Sequence, residues 1–191
     1  MAVQAAPRRT GRPPKQAGGV PTRERVLRAA VDVFAERGFG QTKITEIAER
    51  AAISGPAVYK HFDDKADVLM QAARYSLETT LDPAKIGAPN PRETAKRWLS
   101  PAFAQTRHLI LELHLTASRE RDVAALLAEW HVERAEAWQA AAPVDRERIT
   151  AFYLLLLGLA QVDALSSLHT DPAGVQQHVD RMVDALFAPT N

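Results

Sequence analysis

Cysteine is absent from the 191 residues. That excludes a disulfide framework, a thiolate nucleophile and a cysteine zinc site, and it fits a reducing compartment. No long apolar run exists either. The longest, Ala151 to Ala160, is 10 residues counting Gly158, about half the ~20 that a membrane helix needs. The arginines near the N-terminus are followed by no apolar run, so a secretory signal is not expected and the protein is expected in the cytoplasm. Alternating strand patterns bounded by hairpin turns are missing, as is any repeat of fixed period. Nor does any serine have a sequence partner with the logic of a nucleophile and its base: Ser54 and Ser118 stand alone. An enzyme is not expected, and no cofactor is implied.

What is present is an ordinary globular composition, 46% hydrophobic and 25% charged, with an uneven charge distribution. Residues 1–65 hold 12 Lys/Arg against 7 Asp/Glu, and residues 66–191 hold 12 against 16, so a net charge of +1 conceals a basic N-terminal third. Such a split is expected of a chain whose first part meets a polyanion. Residues 1–21 carry four prolines, three glycines and no acid, which predicts a flexible basic arm.

Helical spacing begins at Thr22. Val26, Ala30, Val33 and Phe34 share a face, Thr22 is placed to cap, and Gly38 to close a helix over about 22–37. A short second helix fits 44–51, capped by Thr42 or Lys43. After Ala52, Ile53 and Ser54 a third runs to about His61, with Ser54 as cap and Pro56 in the tolerant first turn. Asp63 and Asp64 precede a longer fourth helix reaching Thr80. Further helices are expected over 92–99, 102–118, 122–142, 146–168 and 172–187. The class is therefore all-α. The middle of the 146–168 segment, Phe152 to Leu159, is apolar on every face and so must be covered on more than one side. Together with the stripe Val175, Val179, Met182, Val183, Leu186 and Phe187 it predicts a homodimer through about 146–187.

Two short helices joined by a three-residue turn, with a helix behind them, are the parts of a helix-turn-helix reader. Val58 and Phe62 are expected in the core, with Gly55, Ala57, Lys60 and His61 towards the major groove, which admits one α-helix.

The strings Phe34-Ala35-Glu36-Arg37-Gly38-Phe39, Ile47-Ala48, Ile53-Ser54 and Val58-Tyr59-Lys60-His61-Phe62-Asp63-Asp64-Lys65-Ala66-Asp67-Val68-Leu69 closely resemble the TetR family of transcriptional regulators. The remaining two thirds match only in size, helical content and order. The resemblance implies a DNA-binding domain over 22–66, a fourth helix linking it to a ligand-binding and dimerisation domain over 67–191, and double-stranded DNA as partner. It implies phosphate contacts from Tyr59 and Lys65, and base or sugar contacts from Gly55, Pro56, Ala57, Lys60 and His61. Thr42, Lys43, Thr45 and Ser54 complete the expected DNA face. The chain departs from the family at Lys43, often Thr or Ser, at Ala52, often Gly, and at Gly55-Pro56-Ala57, often a Lys-Gly-Thr-like string. Arg8, Arg9, Arg12 and Lys15 surround a Gly-Arg-Pro core resembling an AT-hook, which lays arginine into a narrow minor groove; a loose tail adding nonspecific attraction is the alternative.

The expected function is a homodimeric repressor released from a palindromic operator by a small, mostly apolar effector entering between the fourth and eighth helices. Tilting of the fourth helix is the release movement the resemblance implies. A ligand-blind regulator, an activator, and an interaction module that has lost DNA binding remain open alternatives. Tyr75, Trp98, Phe103, Trp130 and Tyr153 are candidate effector-lining aromatics. His108 and Glu112, four apart on one helix, are pocket candidates, and with His114 and His131 the only metal candidates; no third ligand at fixed spacing supports a metal.

Overall fold

The structure is a computed structural model, which describes residues 20–81, 90–165 and 171–188. Among them are nine α-helices and no strand: α1 (Thr22–Gln41), α2 (Ile44–Arg50), α3 (Gly55–Val58), α4 (Lys65–Leu81), α5 (Pro91–Leu99), α6 (Ala104–Ala117), α7 (Arg121–Ala141), α8 (Arg146–Leu159) and α9 (Pro172–Phe187). The expected all-α class is the observed one. Among the described residues no helix is long and apolar enough to cross a membrane.

Acidic and amide side chains start four of the helices. Asp64 accepts from the Asp67 N–H (2.8 Å) at α4, Asn90 from Glu93 (3.1 Å) at α5, and Asp145 from Arg148 (2.8 Å) at α8. Asp171 receives the Ala173 and Gly174 amides of α9. Each bond satisfies a donor that has no partner inside its helix. Thr22 and Ser54 do not cap as expected. Pro21 takes the position before α1, and Ser54 precedes α3 without a side-chain bond. Lys43 precedes α2, where the Glu46 carboxylate accepts its N–H at 2.9 Å.

Two boundaries differ from the sequence reading. Gly38 does break α1, at φ 71° and ψ 169°, but a further turn continues to Gln41. α8 stops at Leu159 instead of reaching Leu168; exposed Gly158, a poor helix former, precedes a run of turns.

The helix-turn-helix is built as predicted, with one adjustment: α3 is a single turn, continued by turns through His61, whose N–H donates to Val58 O. Val58 and Phe62 are buried behind it. Ala52, in the link, has a φ of 53°. That left-handed conformation disfavours any residue with a β-carbon by about 1–2 kcal/mol. Arg25 holds the turn in place, donating to Ala52 O at 2.9 Å and also to Ala51 O.

α1 packs against both α4 and α6, α6 packs on α7, and α9 lies on α5 and α8. One apolar core runs from Val26 and Phe34 through Leu69, Leu109 and Leu113 to Phe152 and Val183. α6 is thus in contact with the N-terminal helices on one side and the C-terminal ones on the other.

Candidate nucleic-acid interface and effector cavity

The α2–α3 face forms an open concavity lined by Thr42, Lys43, Thr45, Gly55, Pro56, Tyr59 and Lys65. Seven of the residues read from the sequence as DNA-facing meet there. Lys43, Thr45, Ser54, Pro56, Tyr59, Lys60 and His61 are exposed, and Gly55 and Ala57 are half-buried. Neighbouring arginines are already neutralised: Arg37 pairs with Glu46 (3.0 Å) and Arg50 with Glu36 (2.7 Å). Among the described residues, Lys43 and Lys60 pair with no carboxylate within 4 Å and leave their charge to solvent. Arg8, Arg9, Arg12 and Lys15 lie outside the described residues.

Two residues on this face also carry internal bonds. Thr42 is buried, its hydroxyl donating back to Gly38 O at 2.7 Å, so it braces the α1 corner instead of facing outwards. The Lys65 ammonium donates to Phe39 O (2.9 Å) and Thr42 O (3.3 Å) and sits 4.1 Å from the centre of the Phe39 ring. Two of its three donors are spent on carbonyls, so its first task is to tie α4 to the end of α1.

The effector candidates divide. Trp98, Trp130 and Tyr153 come together with Leu77, Ile110, His114, His131, Arg134, Leu156 and Leu157 around a cavity of about 40 Å³. The other four do not reach it. The Tyr75 hydroxyl accepts from Arg28 at 2.9 Å and donates to Glu24 at 3.3 Å, bridging α1 and α4. Phe103 is a core residue packed on Trp98 at 5.1 Å. His108 is largely exposed, 3.7 Å from Asp163, and with Glu112 it lines a separate open concavity of about 590 Å³ beside α1. Glu112 accepts the Phe39 N–H at 2.5 Å, a link across 73 residues that joins α6 to the corner of α1. Beside it Gln105 donates to Asp32 at 2.8 Å. Among the described residues no three His, Cys, Asp or Glu gather as a metal site.

His114 and His131 do meet, Nε2 to Nε2 at 3.2 Å. Burial pushes both imidazoles down, His131 to about 4 with further help from His114 and Arg134, so both are neutral at pH 7. Their tautomers then follow from the partners. His114 Nδ1 lies 2.8 Å from Ile110 O and must donate. Its Nε2 is therefore an acceptor, His131 Nε2 must donate to it, and His131 Nδ1 is left with a lone pair. Burial also pushes the Tyr153 phenol up, partly offset by the Arg134 guanidinium.

A wider groove of about 710 Å³ lies between α5, α6, α8 and α9. Its buried cation, Arg107, spends every donor on Asp163 (2.7 Å), Trp98 O and Ser100 O. Sequence reading missed Arg107, Arg134 and Arg25 altogether. An arginine on a helix looks the same in sequence whether it is solvated or committed, and only the distant partners distinguish the cases.

A one-turn helix presented over an open, basic concavity, braced by two helices, defines a helix-turn-helix protein. Residues 26–72 match the family described as bacterial regulatory proteins, tetR family, so this segment is a TetR-family N-terminal domain. The repressor BepR of Brucella suis is 36% identical over 110 residues, 56% of this chain and 49% of its own length. The chain spans half or less of the length of the first curated relatives it matches. Among solved structures, Salmonella enterica GusR shares the fold at a TM-score of 0.66 and 22% identity, covering 92% of this chain and 100% of that one. The multidrug-binding protein EbrR, solved with proflavin, does so at 0.57 and 19%, covering 87% and 100%. The curated relatives carry the names of transcriptional regulators, not enzymes, in agreement with the sequence reading.

Proposed function

We propose that the protein is a homodimeric, effector-responsive transcriptional regulator that reads double-stranded DNA through α3 and its surroundings. The observation that carries this reading is the exposed set Lys43, Thr45, Tyr59, Lys60 and His61 around a helix short enough to present its first turn to a major groove. Lys43 and Lys65 position phosphates, and Lys60 with α3 offers base contacts; Ala57 supplies at most a methyl contact to thymine. The division into an arm (1–21), a reader (22–66) and an effector and dimer body (67–191) follows the same reading, with the arm's arginines adding minor-groove or nonspecific attraction.

The dimer surface is assigned to α8 and α9. Leu154, Leu165 and Met182 are 65%, 53% and 49% exposed, and open space surrounds Gly158, where a partner helix has room to approach. Two readers on a two-fold axis call for a near-palindromic operator.

Effector response follows from α6. Ile110 and His114 line the cavity, while Gln105 and Glu112 of the same helix hold α1. A molecule that binds better when α6 has shifted will favour readers misplaced for DNA. This adds α6 to the α4 tilt expected from the sequence; α4 contributes Leu77 to the same cavity. Repression is supported by the BepR name, although FasR of Mycolicibacterium smegmatis, 37% identical over 71 residues, is named an activator. The sign depends on where the operator lies relative to the promoter.

Selection of duplexes from a random pool, followed by titration at several salt concentrations, tests the reading. Enrichment of a two-fold symmetric site with salt-dependent affinity is expected. Failure to bind any duplex would return the chain to the class of interaction modules.

A further inference from the structure

The cavity carries a chemical signature beyond its apolar walls. Two residues lining it, Trp98 and His131, each hold a buried polar atom with no partner, Trp98 Nε1 and His131 Nδ1, while the buried Tyr153 hydroxyl has only the neighbouring Arg134 guanidinium to turn to. Buried polar groups are paired in the large majority of cases, so two orphans around one space are unusual. Their needs differ. Indole Nε1 only donates, His131 Nδ1 is an acceptor by the tautomer argument, and the phenol does either.

A charge adds to this. Both histidines are neutral at pH 7, so Arg134 is the one charged side chain among the lining residues. Its guanidinium lies 5.3 Å from the centre of the Trp130 ring and 5.6 Å from that of Tyr153, within cation–π reach of both. Among the described residues it pairs with no carboxylate within 4 Å; the nearby Glu133 and Glu136 are engaged by Arg74 (2.8 Å) and Arg146 (3.6 Å). Arg107 in the wider groove, by contrast, has no donor left.

We propose that this cavity takes a small planar aromatic carboxylate bearing a ring hydroxyl, the carboxylate meeting Arg134 and the hydroxyl donating to His131 Nδ1. The proposal rests on the effector reading above and gives it a chemistry. The ring packs between the Trp98 and Trp130 indoles and the aliphatic wall of Leu77, Ile110 and Leu156. Trp98 Nε1–H and the Tyr153 hydroxyl supply further hydrogen bonds. A neutral aromatic of the same shape leaves Arg134 unanswered, and an acyl chain brings no hydroxyl donor for His131 Nδ1. At about 40 Å³ the cavity has room for two or three waters. A ring therefore enters only by moving the wall, and the wall includes Ile110 and His114 of α6, which is how occupancy reaches Phe39.

The test uses the full chain, with binding followed by calorimetry and tryptophan fluorescence. The probes are 3-hydroxybenzoate, benzoate, 3-hydroxybenzyl alcohol and 3-hydroxybenzylamine. The expected order is 3-hydroxybenzoate tightest, the alcohol at least about tenfold weaker, and the amine without measurable binding. Loss of the ring hydroxyl, as in benzoate, weakens binding several-fold. Arg134→Gln removes the preference for acid over alcohol while affinity for the selected duplex without probe stays unchanged. His131→Phe removes the preference for 3-hydroxybenzoate over benzoate. Equal binding of acid and alcohol by the unmodified protein, or an acid preference that survives Arg134→Gln, would overturn the proposal. No binding of any probe by a protein that still binds its selected duplex also overturns it and leaves the DNA-binding reading standing; loss of duplex binding is the separate failure of that reading.

Discussion

Gly38→Ala strikes the α1 corner through two mechanisms whose sizes can be separated. The first is conformational. At φ 71° and ψ 169° the residue occupies a region essentially reserved for glycine, and forcing alanine into it costs about 2 kcal/mol. The second is a contact. A β-carbon at this position would stand 3.1 Å from Glu112 Oε1, the atom that accepts the Phe39 N–H at 2.5 Å. Displacing the carboxylate weakens a charge-assisted hydrogen bond in a part-buried setting, about 1.5 kcal/mol more. The expected loss is roughly 3–4 kcal/mol, a fall in Tm of about 10 °C for a chain of this length. Urea unfolding followed by circular dichroism measures it, and a double-mutant cycle apportions it. In a Glu112→Ala background the contact is gone, so Gly38→Ala should cost only the backbone share, about 2 kcal/mol. A Gly38→Ala variant within about 0.5 kcal/mol of the parent would refute the conformational argument. Equal cost in both backgrounds would refute the Glu112 contact.

Lys60 and Lys65 should fail differently. Lys60→Ala leaves stability unchanged and lowers affinity for the selected duplex more than for scrambled DNA, by about 1–3 kcal/mol per contacted guanine; equal weakening on both would make it a phosphate contact. Lys65→Ala frees Phe39 O and Thr42 O, so it should lower stability by about 1–2 kcal/mol and weaken both DNAs, as read by parallel melts and salt titrations. Leu154→Glu places a charge on the exposed α8 face, so sedimentation should show the parent as the proposed dimer and the variant as a monomer with its helical signal intact; a monomeric parent would refute the dimer and a dimeric variant would move the interface elsewhere. Acid should destabilise the fold through His131. The unfolded chain takes up the proton near pH 6.5 and the folded one only near 4, so stability is flat above about 6.5 and falls as pH drops towards 4. Because His131 is only partly buried, the loss is about 1 kcal/mol, and His131→Gln should flatten urea midpoints measured at pH 7, 6 and 5.

Local order was readable where local chemistry decides it. The 3.6-residue spacing located each of the described helices, and Asp64 announced the start of α4. The end of α8 was not readable because Val162 and Leu165 prolong an apolar pattern after the backbone has turned. Pairings across the fold were also hidden. Thr42 reads as a polar surface residue, yet its hydroxyl turns back to Gly38 O; Glu112 does share a concavity with His108, but its hydrogen-bond partner there is a backbone amide 73 residues away, which no spacing announces. The aromatic candidates split for the same reason. Trp98, Trp130 and Tyr153 face one space and Tyr75 another, and helical periodicity gives the face of one helix without saying which neighbour covers it.

The groups that Glu112 and Lys65 hold at the end of α1 are Phe39 N–H, Phe39 C=O and Thr42 C=O, all main-chain atoms. A hydrogen bond to main chain does not depend on which side chain projects from that residue. Side chains on the outward face of α2 and α3 are thus free to change, and operator preference with them, while the attachment of reader to body persists. On the proposed function, a lineage carrying this joint is retargeted to new duplexes by surface substitutions alone, with the body left unaltered.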